Sequence, residues 1–99
     1  MSIRHLVLLK FKPEATSAEL NALESAFAEL ASKIDAVQSL EWGTNNSPEG
    51  LDKGFTHCFN LTFADEAARA AYLPHPAHQA FVARLKPALD DVLVLDYAI

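Results

Sequence analysis

Residues 3–11, IRHLVLLKF, constrain the fold most. Ile3, His5, Val7, Leu9 and Phe11 alternate onto one face of a strand, as a period of two requires. The opposite face carries Arg4, Leu6, Leu8 and Lys10, so its centre is apolar too. A strand apolar on both faces needs cover on both. Helices of the same chain can cover one face. The chain has only 99 residues, one domain's worth, and a chain this short buries a modest fraction of its surface. Cover for the second face is therefore expected from a second copy.

The rest of the chain supplies the helices and the remaining strands. Thr16 and Glu19 form a capping box. Leu20, Leu23, Phe27, Leu30 and Ile34 follow at spacings of three and four, one core-facing stripe. Residues 37–44, VQSLEWGT, read as a second strand, and NNSPEGLDKG as a turn-rich loop. Residues 55–63, FTHCFNLTF, alternate strictly, with Phe55, His57, Phe59, Leu61 and Phe63 on one face. Asp65 caps a short helix, EAARAAY, which PHP interrupts. Pro74 and Pro76 disfavour αR in the residues before them, and Pro76 suits the first turn of a new helix. His78, Phe81, Leu85 and Leu89 then share a stripe, and residues 92–97, VLVLDY, close the chain as a strand. The order βαββαβ predicts a single domain over residues 1–99. Its fold class is α+β, a ferredoxin-like antiparallel sheet with two helices on one face. The bare face, with Leu6, Leu8, Leu93 and Leu95, predicts a homodimer.

Charge narrows the partners. The net charge of −5 argues against nucleic acid and against anionic membrane surfaces. The longest uninterrupted apolar run near the N-terminus is LVLL, too short for a signal segment or a membrane span, so a cytoplasmic location is expected. Cys58 has no second cysteine to pair with.

Four polar groups occupy positions that the pattern assigns to hydrophobes: His5, His57, His78 and Asp96. First and last strands are antiparallel neighbours in this topology. His5 therefore lies near Asp96, a carboxylate sharing a face with Val92 and Val94 that needs a partner. A lone histidine on an apolar face is usually a satisfied core residue. Four such groups converging on one interior, with Tyr72 across the PHP break, predict a ligand pocket. His75 and His78 have the i, i+3 spacing of half a metal site, but the rest of a ligand set is missing, and neither a metal nor a cofactor is expected. Cys58 and His57, as neighbours on a strand, point to opposite faces. Glu66 and Arg69 read as a solvated helix pair.

His5 opening the first strand, the WGTNNSPEG stretch, KGFTH, and YLPHPAH followed by a terminal DY together resemble the stress-response A/B barrel, or Dabb, family over essentially the whole chain. The resemblance implies a ferredoxin-like protomer that dimerises into an α/β barrel. The same elements are similar to those of the family's plant polyketide cyclases. That likeness implies an acid–base pair at Tyr72 and His78, in a pocket that includes His5, His57 and Asp96. It also implies a small apolar or aromatic, polyketide-like ligand. Two functions follow. One is a cofactor-free enzyme that abstracts a proton next to a carbonyl, as in aldol cyclisation. The other is a non-catalytic stress-response dimer that binds ligands or serves a structural role.

Overall fold

The computed structural model describes residues 1–99. Four strands form one antiparallel sheet: β1 (Ile3–Phe11), β2 (Ser39–Thr44), β3 (His57–Phe63) and β4 (Leu89–Ala98), in the order β2-β3-β1-β4. Helices α1 (Ser17–Ala28), α2 (Leu30–Lys33), α3 (Glu66–Tyr72) and α4 (Pro76–Leu85) connect them, and a short 3-10 turn, Lys86–Ala88, leads into β4. This is the ferredoxin-like arrangement that the element order predicts.

Local chemistry accounts for the boundaries. The Thr16 hydroxyl accepts from the Glu19 amide at 3.1 Å, and the Glu19 carboxylate reaches back to the Thr16 amide. Asp65 caps α3 by accepting from the Ala68 amide at 2.8 Å. The long stripe from Leu20 to Ile34 is not one helix: it breaks at Glu29 into α1 and α2, and Leu23, Phe27, Leu30 and Ile34 remain buried across the break. Gly50 and Gly54, in the loop between β2 and β3, have positive φ, where a side chain would be strained. A Cβ on Gly54 would also collide with the Lys10 stem, 2.7 Å away.

The core lies between the helices and one face of the sheet. On β1 the residues Ile3, His5, Val7 and Leu9 are buried there, while Arg4, Leu6, Leu8 and Lys10 alternate as half-exposed on the other face. Phe27 from α1 stacks on Phe59 from β3 with ring centroids 3.9 Å apart, and Phe81 from α4 lies 4.8 Å from Phe27. Trp42 on the edge strand extends this aromatic layer at 5.1 Å from Phe59. Apart from Arg69 of α3, which reaches Asp96, the helices leave the inner face of β4 largely uncovered. Val92 and Val94 on its inner face are exposed, as are Leu93, Leu95 and Tyr97 on its outer face. The set around Asp96 is therefore less buried than alternation implies.

Candidate functional site

The helix break at the PHP segment shapes the site. In a continuous helix the Leu73 carbonyl would accept from the amide of residue 77. Here the His75 ring, as N-cap of α4, takes the Ala77 amide on Nδ1 at 3.0 Å. The prolines on either side of it supply no amide hydrogen. The freed Leu73 carbonyl accepts from His78 Nδ1 at 2.8 Å and from the Gln79 side chain at 2.9 Å. A carbonyl only accepts, so Nδ1 of His78 carries its hydrogen and, in the neutral ring, Nε2 keeps its lone pair. The ring is half-buried and packs on Tyr72 with centroids 4.4 Å apart.

Tyr72 ends α3 and is 1% exposed, against Phe63 at 5.1 Å and His5 at 6.1 Å. Burial pushes its phenol well above the ordinary tyrosine range. The Tyr72 hydroxyl makes no hydrogen bond within the chain. It is not sealed off either, since the one fully enclosed side-chain polar atom without a partner is Asn60 Oδ1. His5 is buried and donates from Nδ1 to Asp96 Oδ1 at 2.7 Å; the register sets the two opposite each other on β1 and β4. The other Asp96 oxygen accepts from Arg69 at 3.0 Å. Tyr72, His78, His5 and Asp96 thus form one cluster at one end of the sheet.

His57 is not part of it, which corrects the expectation that the histidines converge. On β3 it stands opposite Leu9, four positions along β1 from His5 and so about 13 Å away at ~3.3 Å per residue. Its Nε2 meets Glu24 of α1 at 2.7 Å and its Nδ1 meets the Thr56 hydroxyl at 2.7 Å, between Phe11 and Trp42. Both ring nitrogens are occupied. Sequence reading passed over Glu24, although it lies four residues after Leu20 and three before Phe27, at the margin of the buried stripe. Arg69, expected to pair with Glu66 along its own helix, pairs with Asp96 instead.

Neither principal cavity is lined by Tyr72 or His78. The larger, about 630 Å³, lies beside the loop between β2 and β3 and opens on the outer sheet face, with Leu8, Trp42, Phe55, His57, Cys58 and Leu93 in its lining. Burial raises the Cys58 thiol above its ordinary pKa, so this side chain is a weak nucleophile. No helix is long and apolar enough to cross a membrane.

Comparison with known proteins places this geometry. A family model described as the stress responsive A/B barrel domain matches residues 3–99. Olivetolic acid cyclase of Cannabis sativa is 30% identical over 97 residues, covering 98% of this chain and 96% of the cyclase. The structure of a hydroxynitrile lyase from Passiflora edulis superposes with a TM-score of 0.93 at 25% identity, covering 99% of this chain and 93% of the lyase. A dimeric ferredoxin-like protein of unknown function from Jannaschia sp. CCS1 superposes with a TM-score of 0.86 at 26% identity over the full length of both chains.

Proposed function

Because the chain belongs to the stress responsive A/B barrel domain family, we propose that it is a homodimeric, cytoplasmic binder of a small apolar or aromatic, polyketide-like molecule, on which it performs cofactor-free acid–base chemistry. His78 Nε2 takes a proton from a carbon next to a carbonyl. A neutral imidazole with one ring nitrogen free is the side chain most often used as a general base. Tyr72, kept neutral by burial, donates its hydrogen bond to the oxygen that gains charge. The resulting enolate attacks a second carbonyl of the same chain in an aldol closure, and the imidazolium returns its proton. His5, with Asp96 orienting its ring, lines the space beside Tyr72. His57 is held by Glu24 and Thr56 away from that space, so its part is to shape the other end of the interior.

The observation that carries this reading is the Tyr72–His78 contact, with Nδ1 of His78 tied to the Leu73 carbonyl. The similarity to olivetolic acid cyclase supports the reaction class. A non-catalytic ligand-binding dimer is the second reading. It is favoured by the lining of the two principal cavities, which leaves out both residues. Incubation of the protein with a panel of linear β-polyketones, followed by mass spectrometry and calorimetry, separates the two. Cyclised product supports the enzyme; saturable binding without product supports the binder.

A further inference from the structure

Arg69 and Tyr72 lie three residues apart on α3, so their side chains leave the helix on one side. Arg69 does not pair along its own helix. Its Nη1 crosses to Asp96 Oδ2 on β4, 27 positions away, while Asp96 Oδ1 takes the hydrogen of His5 Nδ1. One carboxylate therefore serves two donors from two different elements. We propose that Arg69 is a positioning residue of the acid–base site: through Asp96 it fixes the ring of His5, and by tying α3 to β4 it fixes Tyr72 beside that ring.

A carboxylate with a single partner can turn about its Cβ–Cγ bond and offer either oxygen. A second donor on the far oxygen removes that freedom, and the guanidinium fork suits this purpose better than an ammonium. Helix α3 has seven residues, too few to hold a position by its own hydrogen bonds. Its C-terminal end runs straight into the PHP break, so a long-range tie decides where Tyr72 stands. The pair is partly open to water, with Arg69 29% and Asp96 22% exposed, and such pairs add little to stability. What Arg69 contributes is orientation.

The kinetic half of this inference rests on the acid–base reading; the spectroscopic half does not. Arg69→Met keeps the stem and removes the donor, and Arg69→Lys restores a charged donor. Nitrogen-edited NMR of the full-length protein first follows the His5 Nδ1–H signal, which the hydrogen bond to Asp96 should protect from exchange in the wild type. Arg69→Met should expose it to exchange and Arg69→Lys should protect it again. With a turned-over polyketone, Arg69→Met should lower kcat about 10- to 100-fold, the scale of a misplaced reacting group, with KM changed less than about twofold. An unchanged His5 signal in Arg69→Met overturns the proposal. So does a fall in kcat that only tracks lost folded protein. Should Arg69→Met fail to fold, Arg69→Leu, which also lacks a donor, is read the same way. A wild type without turnover defeats the acid–base reading alone, and the NMR comparison still decides the role of Arg69.

Discussion

In the proposed reaction Tyr72 and His78 have different protonation tasks, and their surroundings suit those tasks. The Tyr72 phenol is buried and raised, which keeps its hydrogen in place for the donor role proposed above. His78 has one nitrogen anchored and one free. Tyr72→Phe keeps the ring packing and loses only the hydroxyl; turnover should drop about 10-fold or more if the hydroxyl meets developing charge. The same residue sets an alkaline limit. An unfolded chain releases the tyrosine proton near pH ~10, while the folded chain holds it to higher pH. Stability is thus fully present below about pH 10 and is lost as pH rises above it. Urea melts between pH 8 and 11 should show this loss in the wild type and a smaller loss in Tyr72→Phe. Equal slopes would mean that the phenol is not held neutral by the fold.

At the scale of elements, features encoded by neighbours along the chain were legible and features encoded by register were not. The Thr16–Glu19 box, the Asp65 cap and the restart of the helix at Pro76 are all local, and all stand where the sequence puts them. The His5–Asp96 pairing followed from topology alone, because it needs only that the first and last strands be antiparallel neighbours. The separation of His57 from His5 depends on how β3 is registered against β1, which alternation does not reveal. Arg69 was misread because helical spacing offered Glu66 while the fold offered Asp96. His75 shows the value of a local reading: as N-cap of α4 it is structural. His75→Ala should cost about 1 kcal/mol, the scale of a lost cap, visible as a lower melting temperature, and leave the proposed turnover by the folded protein little changed. The interior is less forgiving. Phe27 lies between Phe59 and Phe81, and Phe27→Ala should cost about 3–5 kcal/mol in denaturant melts, from lost burial and the cavity left behind.

The whole molecule carries more apolar surface than its own helices cover. Leu93, Leu95 and Tyr97 are exposed beside the half-exposed Leu6 and Leu8 on one sheet face. A contiguous patch of this kind marks an interface, and the Jannaschia structure of the same fold is that of a dimeric protein. In the homodimer proposed here, Leu8→Lys should yield monomers by light scattering at micromolar concentration, because a buried unpaired charge costs several kcal/mol or loses its proton. A wild type that is monomeric under those conditions would leave the face without its occupant.

In the proposed reaction His78 is the base, in a site built within each protomer. The rate at which wild type and His78→Ala cyclise a linear β-polyketone, with circular dichroism confirming equal folding, tests this. Removing the imidazole should slow cyclisation about 10²- to 10⁴-fold. Equal rates in the two proteins, at equal folded concentration, would contradict it.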